Sequence, residues 1–395
     1  MLNRLHPQSP DALLALIRLH AADPRPGKID LGVGVYRDAG GGTPVFRAIK
    51  AAEERLLREQ NSKAYLGPEG DLAFVRALKP WIFGRDDPDR GGRITGVQTP
   101  GGTGGVRLGL ALVKKAGGQR VLLGAPSWPN HAQIVEDLDL EPVLFDHVRP
   151  DGTVDAGRVV DLIRAGGPRD CVILHACCHN PTGIDYSAHD WEAIAAALAH
   201  SGVFPLIDVA YQGLGNGLEE DATGLRHVLD TVSEALVAYS CDKNFGLYRD
   251  RVGALYMMTA EPEGVGAVCS NANALARATW SMPPDHGAAA VRLVLDDEAL
   301  TRDWLAELGG MRARMQQVRM ALAAAAEQVP GIGLAAVGQG KGLFAMLRLS
   351  PEQVARLRDD HAVYMAGSGR INVAGLTEEN TPRFVNALGA VVPAG

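Results

Sequence analysis

Between residues 121 and 258 the chain carries six short apolar runs: "VLLGA", "PVLFD", "CVILHA", "FPLIDVA", "ALVAYS" and "VGALYMM". None alternates polar with apolar residues as a half-exposed strand would, and helical patterns separate them. Unbroken runs of this kind suit strands covered on both faces, which implies a mostly parallel sheet between layers of helices. The expected class is therefore α/β. A parallel crossover takes a dozen or more residues. Only about eleven separate the fifth run from the sixth, so the sixth is expected to run antiparallel.

After residue 296 the pattern changes. A long stretch of strong helix formers, "DDEALTRDWLAELGGMRARMQQVRMALAAAAEQ", continues through Gly309 and Gly310. It is followed by a strand-like "GLFAMLRL", a helical "PEQVARLRDDHAVYMA", a strand-like "RINVAG" and a last helix from Thr377. This reads as a smaller α+β domain. Near the start, "PDALLALIRLH" resembles the apolar core of a signal peptide, but Arg18 and His20 interrupt it and no small-residue cleavage site follows. It is expected to be an amphipathic helix, with Ser9 as N-cap and Pro10 in its first position.

Composition narrows the function. A net charge of -7 and the lack of any Lys/Arg run argue against nucleic acid or anionic lipid as partner. No stretch of about 18 apolar residues offers a membrane span. The five cysteines, Cys171, Cys177, Cys178, Cys241 and Cys269, have neither CxxC nor Cys/His zinc spacing. They point to a reducing, cytoplasmic setting, with no disulfide framework and no metal expected.

Among eight lysines, Lys243 alone follows a core strand directly, in "ALVAYSCDK". That places it at the carboxyl edge of the sheet, where open α/β folds bind ligands. Desolvation and nearby cations there lower an amine's pKa and favour Schiff-base chemistry, although a solvated amine at a strand end is the blander alternative. In "TPGGTGGVRLGLAL", Gly101, Gly102 and Thr103 precede a helical pattern and offer donors to a phosphate; read alone, they are a tight loop. Arg107 stands where a GxGxxG motif needs its third glycine, so a dinucleotide fingerprint is not met. Asp208, inside "FPLIDVAYQG", is a carboxylate in an apolar run and must face something cationic. Tyr211 and Asn180, the latter in "CCHNPTG", add a phenol and an amide. Together these are the parts that pyridoxal phosphate requires.

The series "LGVGVYRD", "AYLGPEG", "TPGGTGG", "PSWPNH", "CCHNPTG", "DVAYQG", "KNFGLYRDRVG", "WSMPPDHGA" and "SGRINVAG" resembles, motif by motif and in order, the class I pyridoxal-phosphate aminotransferases of the aspartate and aromatic amino acid branch. The resemblance implies a fold-type I transferase with a seven-stranded, mostly parallel sheet. It implies an N-terminal arm and part of the small domain over 1–43, a large cofactor-binding domain over 44–309 and a small C-terminal domain over 310–395. Lys243 would bond the cofactor's aldehyde and later move the proton. Asp208 would pair with the ring nitrogen, Asn180 and Tyr211 would bond the phenolic oxygen, and Trp128 would stack on the ring. Gly101, Gly102, Thr103, Ser240 and Arg251 would hold the phosphate, with Tyr65 reaching in from a second subunit of a homodimer. Gly34, Trp128 and Asn180 would line the substrate site, Arg370 would clamp the α-carboxylate, and Arg277 of the neighbouring subunit would read a distal carboxylate.

Three positions depart from the aspartate-selective pattern of that branch. Met282 and Ala64 each replace an asparagine, which loosens selection for a dicarboxylate and favours an aromatic or dual-specificity enzyme using 2-oxoglutarate as acceptor in a ping-pong exchange. Asp242 stands where a serine is usual, beside Lys243 and near Ser240. A carboxylate there would repel a phosphate, so it is expected to point away or to be compensated by Arg249 or Arg251. The alternatives are a strictly aspartate-selective enzyme, a lyase on the same fold, a nicotinamide oxidoreductase and a non-catalytic regulatory module.

Overall fold

The computed structural model describes residues 1–7 and 12–392. The N-terminal helix spans Ala12–Ala22, and the expected cap at Ser9 and Pro10 lies outside the described residues. After a two-residue strand β1 (Ile29–Asp30), the large sheet is built from β2 (Ile94–Pro100), β3 (Arg120–Ala125), β4 (Glu141–Asp146), β5 (Asp170–His175), β6 (Phe204–Val209), β7 (Ala235–Ser240) and β8 (Val252–Met258). Their order is β2-β8-β7-β6-β5-β3-β4. Strand β8 pairs antiparallel with both β7 and β2, and every other pairing in this sheet is parallel. The α/β class and the reversed sixth run are thus observed.

Two strands depart from the reading of the apolar runs. β2, "ITGVQTP", contains no such run, yet Val97, Gln98 and Thr99 are buried. Its polar residues are tolerated because they are bonded: the Gln98 amide donates to Pro284 O at 2.6 Å and accepts from Asp71 N at 2.8 Å. β4 is not covered on both faces. It forms the edge of the sheet, and Leu144 is 60% exposed.

Alternating residues of the inner strands divide between two apolar layers. Leu206, Leu236, Ala238 and Leu255 join Val106, Leu110, Ile134 and Ala272 from the helices Gly101–Lys115, Pro129–Asp137 and Val265–Thr279. Ile207, Val237 and Tyr239 face the helices Ala156–Ala165, Ala188–Ser201 and Thr223–Thr231 through Ile163, Ile194 and Val228. Each fully buried aliphatic side chain of this kind contributes about 1.5–3 kcal/mol. The glycines of "TPGGTGG" also serve this packing. A Cβ on Gly105 would lie 3.2 Å from the Ala238 Cβ, so the helix Gly101–Lys115 sits close on β7.

The remaining strands are short: β9 (Phe344–Met346), β10 (Val363–Tyr364) and β11 (Arg370–Asn372). β1 pairs parallel with β10, and β9 antiparallel with β11, so the two ends of the chain are joined. The helix after residue 296 spans Glu298–Ala324 without a break at Gly309 and Gly310 and is capped by Asp297. Two later elements are shorter than their patterns. The helix Pro351–His361 stops where Ala362 turns left-handed and the chain enters β10. The last helix begins at Thr381 rather than Thr377, because Thr377 and Asn380 exchange side-chain-to-backbone bonds in a turn before it.

One buried cation joins these segments to the long helix. Arg319 donates to the carbonyls of Val337, Lys341, Gly342 and Phe344 at 2.6–3.0 Å. Burial lowers its pKa to about 10 although the nearby Asp185 opposes the shift. Arg319→Met strands four carbonyls at once, and chemical denaturation is expected to show a loss of about 3 kcal/mol.

Candidate active site

The carboxyl ends of β6 and β7 and the loops after β2, β3 and β5 enclose a cavity of about 180 Å³. It lies beside the point where the strand order reverses between β5 and β3, the crevice in which open α/β sheets hold ligands. Its wall includes Gly34, Gly102, Thr103, Trp128, Asn180, Asp208, Tyr211, Ser240, Lys243 and Arg251. Ten of the sequence-derived site residues therefore meet in one place, although they are spread over more than half of the chain.

Parallel pairing of β6 and β7 sets Asp208 opposite Ala238, and the chain then continues through Ser240 to Lys243. The Lys243 amine lies 5.1 Å from the centre of the Tyr211 ring. Burial lowers its pKa and Arg251 adds to the shift, while Asp242 and Asp208 oppose it. The amine is thus moved towards its neutral, nucleophilic form.

The partner that Asp208 demanded is a histidine that the motif reading passed over. His131 Nε2 lies 3.0 Å from Asp208 Oδ2, and its Nδ1 lies 3.0 Å from Ser127 Oγ. Ser127 Oγ in turn lies 3.2 Å from His175 Nε2. Behind it, His175, His179 and His147 are stacked, with centroids 4.2 and 3.7 Å apart. Burial pushes His175 down to about 3 and His147 to about 4, and takes His179 well below the usual value. For Asp208, burial raises the carboxyl pKa, but the hydrogen bond from His131, with the Lys243 amine nearby, outweighs it and the net shift is downward. Asp208 is held as an anion. The signal was available in "PSWPNH", where His131 follows Trp128 by three residues on the same short helix.

Opposite Asp208, Asn180 Nδ2 donates to the Tyr211 hydroxyl at 3.5 Å, and its buried Oδ1 has no partner. Burial raises the Tyr211 pKa strongly and keeps the phenol protonated as a donor. Tyr248 also lines the cavity and accepts a bond from Tyr36 N at 2.8 Å, which ties the Gly34 segment to it.

At the other end, Gly102 is the second residue of the helix Gly101–Lys115, and a Cβ on it would come within 2.9 Å of the Ser240 Cβ. Only glycine leaves room there for a ligand to approach the helix N-terminus between Thr103, Ser240 and Arg251. Gly101, at φ 71°, makes the turn behind it rather than the wall. Asp242 does not point away. It lines the cavity and forms an ion pair with Arg251; Arg249 takes no part.

Arg370 lies beside this cavity rather than in its wall. Its guanidinium donates to Gly32 O at 2.9 Å and stands 4.6 Å over the Phe344 ring, which meets Tyr211 edge-on. Among the described residues it has no carboxylate partner, and its buried Nε is unbonded. Burial lowers its pKa, partly offset by Tyr211. Tyr65 and Arg277 are not brought to the cavity of their own chain. Tyr65 is 93% exposed, and Arg277, in the last turn of Val265–Thr279, is exposed and donates to Ser281 Oγ. They share one edge of the molecule, where Leu66 N–H donates to Met282 Sδ at 3.1 Å.

The residues present suit pyridoxal phosphate: a buried amine, a fixed anion, donors opposite it with an amide oxygen unpaired, and a glycine-walled anion site. Comparison with known proteins agrees. Residues 26–388 match the family model described as "Aminotransferase class I and II". A tyrosine aminotransferase of Rhizobium meliloti is 50% identical over 95% of this chain and 96% of its own, and the aspartate aminotransferase of Escherichia coli is 39% identical over 97% and 98%. The crystal structure of an aromatic-amino-acid aminotransferase from Burkholderia pseudomallei, covalently bound to pyridoxal phosphate, superposes with a TM-score of 0.95 at 31% identity over the full length of both chains. The chain belongs to the class I and II aminotransferases, with the fold-type I architecture, and is a pyridoxal-phosphate-dependent aminotransferase.

Proposed function

We propose that this enzyme moves the α-amino group of an aromatic amino acid or aspartate to 2-oxoglutarate by a ping-pong exchange, as a homodimer in the cytoplasm. The observation that carries this reading is the convergence of Lys243, Asp208 and the Gly102–Thr103–Ser240–Arg251 pocket on one cavity. When bound, pyridoxal phosphate supplies an aldehyde that takes up the substrate amine and a ring that stabilises negative charge at the carbon losing its proton. Lys243 Nζ, with its lowered pKa, accepts that proton and returns it as general base and then acid. Asp208, oriented by His131, would hold the ring nitrogen. Asn180 and Tyr211 would donate to the phenolic oxygen, and Trp128 would pack against the ring.

Arg370 binds the α-carboxylate through a bidentate pair, which its lack of a protein carboxylate partner and its planar fork support. Gly34, in the wall of the cavity, borders the substrate. The exposed Tyr65 and Arg277 serve the partner subunit's cavity, one at the phosphate and the other at a distal carboxylate. The two-domain division, with boundaries near residues 43 and 309, belongs to the same reading. The relatives named as tyrosine and aromatic-amino-acid aminotransferases support an aromatic substrate. So does the position of Met282, whose thioether rather than an amide contacts the Tyr65 segment. Five free thiols suit a reducing compartment.

Purified holoenzyme is expected to be yellow, with a band that shifts on adding an amino donor. In Lys243→Ala the shift and at least about 1000-fold of the turnover are expected to be lost, as for removal of a nucleophile that is also the proton carrier. A colourless preparation that binds NADH instead would overturn the assignment.

Half-reactions with aspartate, glutamate, phenylalanine and tyrosine, followed by the cofactor spectrum, test specificity. The aromatic donors are expected to react well, and Ala64→Asn with Met282→Asn to shift the aspartate-to-phenylalanine ratio of kcat/KM by about tenfold towards aspartate. Aromatic donors no faster than alanine would refute dual specificity.

A further inference from the structure

Asp242 is the one charged group in the cavity wall that the proposed chemistry does not use. It is buried, and its carboxylate pairs with the guanidinium of Arg251, the only arginine lining the cavity. The other oxygen accepts from Val252 N at 3.3 Å, and Asp242 N donates to Ser240 Oγ at 3.2 Å. The carboxylate is therefore woven into the same residues that form the anion pocket. A Cβ on Gly101 would lie 2.7 Å from the Arg251 guanidinium and 3.1 Å from Asp242 Oδ2, so both charges sit against the start of the helix Gly101–Lys115.

This arrangement changes the charge that a phosphate meets. Arg251 and Asp242 cancel, leaving the hydroxyls of Thr103 and Ser240, the backbone N–H groups and a helix N-terminus equivalent to roughly +0.5 charge. A phosphate ester at neutral pH carries about -1.5 to -2. Arg251 is also presented on a left-handed backbone, φ 56°, a conformation that costs a non-glycine residue about 1–2 kcal/mol. Asp242 bonds to Arg251 itself and to the next amide, Val252 N, and so holds this turn in place.

We propose that Asp242 is a resident counter-anion of the phosphate pocket: it occupies Arg251 when the cofactor is absent, competes with the phosphate for that guanidinium, and makes pyridoxal phosphate exchangeable rather than permanently retained. The apoenzyme then keeps a neutral, folded pocket, since the buried Asp242 carboxylate and the half-exposed Arg251 are never left without a partner. The inference rests on the assignment of Gly102, Thr103, Ser240 and Arg251 to the phosphate.

The test is cofactor affinity, measured on apoenzyme by fluorescence titration with pyridoxal phosphate, with pyridoxal, and with inorganic phosphate as competitor. Asp242→Asn removes the charge but keeps an acceptor for Val252 N–H, and Asp242→Ser removes the charge and leaves a shorter hydroxyl in place of the carboxylate. Asp242→Asn is expected to bind pyridoxal phosphate and inorganic phosphate at least tenfold more tightly, about 1.4 kcal/mol, with pyridoxal unchanged and a slower loss of cofactor on dilution. Asp242→Ser is expected to tighten binding in the same direction, with a lower Tm for its apoenzyme. If Asp242 served only to hold the Arg251 turn, both variants would bind the phosphate ligands equally or more weakly, and the proposal would be overturned. Ser240→Ala separates the two readings. Weaker phosphate binding in Ser240→Ala with no gain in Asp242→Asn rejects the counter-anion alone, whereas no change in either rejects the phosphate pocket itself.

Discussion

An anion in the middle of a hydrophobic sheet has to be held by something, and Asp208 is held by His131. The bond joins the end of β6 to the helix that follows β3, across the crevice where the strand order reverses. Since His131 is itself fixed by Ser127, and Ser127 by His175, the loops after β3 and β5 are positioned by the same chain of contacts. The stacked, burial-neutralised imidazoles behind it add no positive charge that would compete for the carboxylate. Asp208 thus keeps its negative charge and its direction, the two properties a pyridine nitrogen requires of its partner.

The other charges of the site follow a different rule. Lys243 and Arg370 are cations with lowered pKa, and neither has a carboxylate bonded to it among the described residues. Both are supported by rings and carbonyls, Lys243 over Tyr211 and Arg370 over Phe344 and against Gly32 O. Such groups are available to a ligand because the protein has not already satisfied them. Arg251, by contrast, is satisfied by Asp242. The region therefore has unsatisfied cations at Lys243 and beside the cavity at Arg370, and a satisfied one at Arg251.

Much of the site was legible because its residues sit in short motifs attached to strand ends. Lys243 follows a core strand, Asp208 interrupts one, and Asn180 and Tyr211 lie a few residues beyond the ends of β5 and β6. What escaped was of two kinds. β2 escaped because its buried Gln98 is satisfied by hydrogen bonds to distant residues and its Thr99 by the carbonyl of Gly101, none of which leaves a hydrophobic pattern. His131 escaped because a histidine in a short loop-to-helix stretch looks like any other until its partner 77 positions away is known.

The sequence by itself determined the class of fold, the reversal of the sixth apolar run and the candidates for the reacting groups, because these depend on local periodicity, connection length and residue chemistry. Only the tertiary structure decided which histidine holds Asp208, which arginine compensates Asp242, and that Tyr65 and Arg277 turn away from the cavity of their own chain. Those are matters of distance between segments far apart in sequence, and a pairing of charges cannot be read from one dimension when several candidates are equally near in the chain.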